Sequence, residues 1–347
     1  MNRILNLLLF ILLPVSIAAA WLGVSDTILF ILSCAVIIPL AGIMGRATES
    51  IAIHSGPRLG GLLNATFGNA VELIISFFAL KAGLTSVVQA SITGSIIGNL
   101  LLVAGLSFFV GGIKYPTQSF NRTIAGTNAS MMVLGVIVAL VIPSIFTFKK
   151  PEIAHALSIT VAIISLLLYI LGLLFSLFTH KQLLNYTEDM EHEDAEWSLS
   201  KAIGILCGAT IAVGFESEFL VKSIEHVSHV FGWSQMFIGV IVVAIVGNAA
   251  EHSSAVFMAW KNRMDISLEI AVGSSLQVAM FVTPVLIFLS FLVGHPMSFV
   301  FAVPETVSMI LSVFLITYLS LDGESNWLEG AMAVGAYIII ATGFYFV

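Results

Sequence analysis

Charged side chains are scarce in this chain. Only 10% of its 347 residues are Asp, Glu, Lys or Arg, against about 25% in average chains. With 59% apolar residues and a mean hydropathy of +1.06, a soluble globular domain is excluded. Basic residues number 13 and form no stripe, which removes nucleic acid as a partner. Cysteine is nearly absent: Cys34 and Cys207 each sit inside an apolar run, so no disulfide framework is expected and nothing is implied about redox compartment. Also missing are a zinc motif of the His-Glu-x-x-His type and paired membrane aspartates, and Glu251-His252-Ser253 does not replace them. An intramembrane hydrolase therefore lacks its parts, and nothing in the sequence calls for a cofactor.

What is present is a series of apolar runs long enough to cross roughly 30 Å of hydrocarbon. Eleven helices are expected. The first covers about 4–22; its apolar core of about 19 residues exceeds the roughly 7–15 of a cleaved signal peptide, which favours a retained helix. The next five are expected at about 26–53, 59–80, 87–111, 124–146 and 153–178, with a turn at Gly56-Pro57. Then comes an acidic segment, and after it five more helices, at about 202–227, 236–260, 266–293, 299–321 and 327–347. The expected plan is an all-α polytopic membrane protein. It has a leading helix (1–23), a five-helix repeat (24–182), an acidic linker (183–199) and a second five-helix repeat (200–347).

The repeat is read from sequence as well as from helix count. Gly68-Asn69-Ala70-Val71-Glu72 returns as Gly247-Asn248-Ala249-Ala250-Glu251, and in each half a Gly-Ser pair, Gly94-Ser95 or Gly273-Ser274, follows the first glycine by 26 residues. Five helices per half force the halves into opposite orientation, the inverted-repeat arrangement of many secondary transporters. Basic residues set the orientation. With the N-terminus inside, nine face the cytoplasm (Arg3, Arg46, Arg58, Lys114, Arg122, Lys181, Lys201, Lys261, Arg263), and four lie outside (Lys81, Lys149, Lys150, Lys222). That favours a cytoplasmic N-terminus and an external C-terminus. The linker, which holds six of the 20 acids and leaves 14 against 13 bases elsewhere, is then cytoplasmic. It reads as a solvated loop or polar helix, with capture of a cation or regulation as the alternative.

A carboxylate inside an apolar span costs roughly 2.5–3.5 kcal/mol on insertion, so Glu72 and Glu251 mark a functional site by default. On a helix, Asn69 and Glu72 share a face, as do Asn248 and Glu251. Gly68 and Gly247 allow close approach or local unwinding that frees backbone carbonyls. An all-oxygen donor set points to a hard cation rather than zinc or copper. Calcium, with six to eight oxygens in irregular geometry, fits best, and manganese accepts much the same ligands. Two facing carboxylates in a low-dielectric site favour protonation once the metal leaves, so Ca2+ and H+ should compete.

The stretch 61–72, Gly-Leu-Leu-Asn-Ala-Thr-Phe-Gly-Asn-Ala-Val-Glu, together with Gly247 to His252 and Gly273-Ser274-Ser275-Leu276-Gln277, resembles the two signature repeats of the cation/proton exchanger family. These are the Ca2+/H+ antiporters of the calcium:cation antiporter superfamily. The resemblance runs over nearly the whole chain and implies Ca2+ and H+ as transported substrates, Glu72 and Glu251 as their shared ligands, and alternating access. It also implies a compact form of the microbial plasma membrane. The lipid bilayer is the one obligatory partner, and a homo-oligomer is left open.

Simpler readings stand beside these. Asn69 and Asn248 could be interhelical hydrogen-bonding glue. Gly94 and Gly98 read first as a packing groove, with Ser95 and Ser274 as site-lining oxygens in second place. His252, where the first half has Leu73, could hold a proton or be structural, and Gln277 corresponds to Gly98 by spacing and could line the cavity. Glu49, Glu216 and Glu218 are placed near helix ends, as solvated acids or as ion-entry groups. Na+-coupled Ca2+ exchange and a channel are the competing transport functions.

Overall fold

A computed structural model describes residues 2–148, 150–179 and 195–347; most of the expected linker, up to Asp194, lies outside them. Eleven helices, and a further short helical segment between the second and the third, are found among the described residues. The eleven are α1 (Asn2–Leu22), α2 (Asp26–Gly56), α3 (Ala70–Lys81), α4 (Thr85–Lys114), α5 (Arg122–Thr147), α6 (Pro151–Thr179), α7 (Leu199–Phe231), α8 (Gln235–Trp260), α9 (Met264–Leu292), α10 (Val303–Leu319) and α11 (Trp327–Phe346). Eight of them are long and apolar enough to cross a membrane by length and composition, and α1 and α10 contribute shorter apolar stretches.

The chain turns at Gly56, whose φ of 80° belongs to the left-handed region that glycine occupies without a steric cost. Beyond it a helical segment, 57–67, doubles back: a methyl at Gly60 would stand 2.9 Å from the Ala52 carbonyl oxygen, whereas residues eight apart in one straight helix are about 12 Å apart. This segment does not run unbroken into α3 as the sequence suggests. It stops at Phe67, and Gly68-Asn69 form a turn before the helix restarts at Ala70. The third span is therefore two half-helices joined inside the first motif.

The second correction concerns α10, which begins at Val303 and not near residue 299. Pro304 suits the first turn of a helix, where its missing N–H costs nothing. The residues before it run irregularly but are buried, Met297 at 2% and Phe299 at 0% exposure, so their backbone groups need partners from protein. Ser290, Ser158 and Ser144 hydroxyls accept from the N–H groups of Met297, Phe299 and Phe301 at 2.8–2.9 Å, and Gln89 Nε2 donates to the carbonyls of Ser298 and Val300.

Hydrogen bonds between loops fix which helix ends lie together. At one end a two-residue strand pair joins Gln118–Ser119 to Glu324–Ser325, Gln118 Nε2 donates to the Ala259 carbonyl and to Asn262 Oδ1, and Arg122 donates to the Asp322 carbonyl. At the other end Ser86 donates to Gln235, beside the Gln89 and Ser158 bonds above. A chain whose successive helices run up and down the bundle requires this division of loops. The centre of the bundle is α4 and α9, with 72% and 61% of their apolar windows buried, while α6 is peripheral at 11%. The long pair α2 and α7 forms the most extensive helix interface, with α1 packed against α2.

Candidate functional site

Both motifs meet at the middle of the bundle. Glu72, near the start of α3, is 6% exposed, and Ser95 of α4 donates to its Oε1 at 2.7 Å. Glu251, on α8, is half-buried, and Ser274 of α9 donates to its Oε2 at 2.6 Å. Each glutamate is thus bonded by the serine 23 residues further along its own half.

The two asparagines cross over. Asn248 Nδ2 donates to Ser95 Oγ at 3.0 Å, and Asn69 Oδ1 lies 3.5 Å from Ser274 Oγ. The motif glycines cross in the same sense. A methyl on Gly247 would stand 3.0 Å from Cγ of Glu72, and one on Gly68 would stand 3.3 Å from Oε1 of Glu251. Neither half makes the site alone, because each supplies the wall against which the other's carboxylate rests. A Gly247→Ala variant should push Glu72 by a few tenths of an ångström, and cation binding measured by calorimetry should weaken.

The donor set is oxygen throughout. Among the described residues no three His, Cys, Asp or Glu side chains gather, and the centre offers two carboxylates with hydroxyl and amide oxygens. Asn248 Oδ1 is buried and lacks a hydrogen-bond partner, a cost that an acceptor normally avoids and that a cation would remove. Such donors match a hard cation with mixed carboxylate and amide ligands.

The other site residues named from sequence fall unequally. Gln277 lines the centre, accepting from Asn69 Nδ2 at 2.5 Å, and His252 Nε2 lies 3.1 Å from Asn99 Oδ1. Asn99 is the residue that sequence reading overlooked: its Nδ2 donates to Ser274 Oγ at 3.0 Å, linking His252 to the serine that holds Glu251. It has no counterpart in the second half, where the same spacing gives Val278, so a search by repetition passes over it. Gly94 packs α4 onto α8 at the carbonyl of Val240, whereas Gly98 faces open space. After the serines, α4 and α9 both widen into π-helical turns, at Gly98–Val103 and Val278–Val282, a distortion frequent at functional sites.

Three acids stand away from the centre. Glu49 is exposed on α2. Glu218 is half-buried on α7 and pairs with Lys222 at 2.7 Å. Glu216 is not near a helix end: it occupies the middle of α7 and is fully buried.

The model of a family described as sodium/calcium exchanger protein matches residues 25–178 and again 201–346. The chain is 52% identical to the Ca(2+)/H(+) antiporter ChaA of Bacillus subtilis (strain 168), covering 99% of both proteins. It is 43% identical to the Ca(2+)/H(+) antiporter of Synechocystis sp., covering 98% of this chain and 96% of that one. Among solved structures, native YfkE superimposes with a TM-score of 0.88 at 49% identity, over 99% of this chain and 100% of that one. The H+/Ca2+ exchanger CAX gives a TM-score of 0.77 at 12% identity, covering 99% and 92% of the two chains, which speaks for the fold alone.

Proposed function

Since this chain belongs to the sodium/calcium exchanger protein family, we propose that it is a secondary antiporter that exports Ca2+ from the cytoplasm in exchange for H+. The antiporter relatives support this activity. The observation that carries the assignment to residues is the crossed centre, in which Glu72 and Glu251 come from different halves into one hydrogen-bonded cluster of oxygen groups. Glu72, Glu251, Asn69 and Asn248 supply the cation's ligands. Ser95, Ser274 and Gln277 hold those ligands in place, and Asn99 orients His252.

The same carboxylates accept the returning protons. When Ca2+ leaves, two unscreened anions in a low-dielectric cavity repel one another, and protonation relieves both the repulsion and the lost hydration. The site then passes from one membrane face to the other loaded with either Ca2+ or two H+. The two halves, 24–182 and 200–347, act as inverted repeats, and α2 and α7 rock or slide against the α4–α9 core. Glu49 and Glu218, at the surface, serve as approach groups for the ion. The membrane is a microbial plasma membrane with the N-terminus cytoplasmic.

Carrying two protons for one Ca2+ makes the cycle electroneutral and avoids a penalty of about 2.3 kcal/mol per charge per 100 mV. In proteoliposomes, exchange should therefore generate no current and should not change when a potassium diffusion potential is clamped. A voltage-dependent rate would exclude this stoichiometry. Dissipating the pH gradient should stop Ca2+ uptake into everted vesicles, and uptake that continued with a Na+ gradient would move the assignment to Na+-coupled exchange.

A further inference from the structure

Among the described residues, Glu216 is the one fully buried carboxyl outside the proposed exchange site that caps no helix. It sits at the middle of α7 with 0% exposure. Its Oε2 accepts from Ser16 of α1 at 2.8 Å, and its Oε1 has no hydrogen-bond partner. Ser33 of α2, itself at 0% exposure, faces the same carboxyl without closing a hydrogen bond to it. Three helices therefore converge on one acid.

Among the described residues no counter-charge reaches it. The described side chains of α1, Leu9 to Leu22, include no titratable group. On α2 the neighbouring groups are Cys34, beside Ser33, and Asp26 two turns away, while Arg46 and Glu49 lie more than three turns in the other direction. Along α3, between Glu72 and Lys81, there is no titratable residue. On α7 itself, Glu218 and Lys222 pair with each other at the surface. A buried anion with one hydroxyl donor and no cation is strongly disfavoured.

The acid also breaks the repeat. The corresponding stretch of α2, residues 37–40, reads Ile-Ile-Pro-Leu, so the first half has nothing like it. The other element without a counterpart is α1. The added acid and the added helix meet each other, through Ser16.

We infer that Glu216 is a permanent proton-binding site, a neutral carboxyl that bridges the leading helix α1 to the α2–α7 pair and keeps its proton throughout transport. In this form Oε2 is the carbonyl oxygen that accepts from Ser16, and Oε1 carries the hydrogen and donates it towards Ser33 Oγ. The bound hydrogen ion takes no part in exchange, and α1 moves with α2 and α7 as one body.

The test compares infrared spectra of purified protein in lipid, using the Glu72→Gln/Glu251→Gln double variant as background so that the central carboxyls are removed. A protonated-carboxyl band that persists from neutral to alkaline pH and disappears on adding Glu216→Gln is the expected result. In the otherwise native protein, Glu216→Gln, which can still accept from Ser16 and donate to Ser33, should keep exchange and its pH profile. Glu216→Ala should lower the melting temperature. If Glu216→Gln does not fold, Ser16→Ala in the same background removes the bond to the carbonyl oxygen and should move the band to higher frequency. Absence of the band in the background protein, an unmoved band in Ser16→Ala, or a folded Glu216→Gln with an altered pH profile overturns the inference. Because the infrared and melting readouts need no Ca2+, they stand apart from the test of the exchange activity.

Discussion

Glu251→Gln and Glu72→Gln should each abolish Ca2+/H+ exchange, by about 100-fold or more, in a protein that still folds. Glutamine preserves the shape and the acceptor oxygen for Ser274 or Ser95, so the packing of the centre survives. The negative charge does not. Substituting residues that merely orient a metal's ligands typically costs 10- to 100-fold, and loss of a charged ligand to a divalent cation exceeds that. On the proposed mechanism the loss should appear in both directions of flux, because there the same group carries the returning proton. In the native protein, acidifying the face from which Ca2+ binds should weaken apparent Ca2+ affinity if, as proposed, protons and metal compete for the two carboxylates. Each single variant should flatten that dependence in binding measurements. Radioactive Ca2+ uptake into everted vesicles under an imposed pH gradient, with wild type and both variants side by side, is the deciding assay. Full transport in either variant would remove that glutamate from the mechanism.

The second large effect is expected at Gly94→Ala, and it is structural. Any Cβ at this position would fall inside the van der Waals envelope of the Val240 carbonyl oxygen. The obstacle is backbone, which cannot rotate away, so α4 and α8 must separate. Overpacking of this kind costs about 1–3 kcal/mol and sometimes more. Because α4 and α9 form the buried centre, the strain spreads to Ser95, the next residue, and through it to Glu72 and Asn248. Melting of the detergent-solubilised variant should fall by several degrees, with loss of Ca2+ protection against unfolding. Gly98→Ala is the control. Its added methyl meets nothing within 4 Å, and it should melt with the native protein.

Much of this architecture can be read in the residues. The helices and the turn at Gly56 follow from apolar run length and from one glycine–proline pair, because the backbone must satisfy its own hydrogen bonds in lipid and only a helix does so within a single segment. The central pair of acids follows from the cost of charge in an apolar run and from its repetition. What escaped was what repetition hides. Gly68 and Gly247 lie in nearly identical local sequences, yet the first sits in a turn and the second inside continuous α8, so the difference comes from tertiary packing. Asn99 and Glu216 occur once each, and their importance appears only when distant helices bring Ser274 and His252, or Ser16 and Ser33, against them. The start of α10 was missed because hydroxyls from α6, α9 and α5 take over backbone bonds that a helix would have made.

The interruption at Gly68-Asn69, with no match at Gly247-Asn248, means that the two halves of this molecule are out of step. Inverted copies of one plan have adopted two different shapes at the same moment. Trading those shapes between the copies would turn the whole arrangement upside down without either copy needing a conformation that the other does not already display. On the alternating-access proposal, an exchanger of this kind needs only two local states, and the opposite-facing form can be built by threading each half onto the coordinates of its twin.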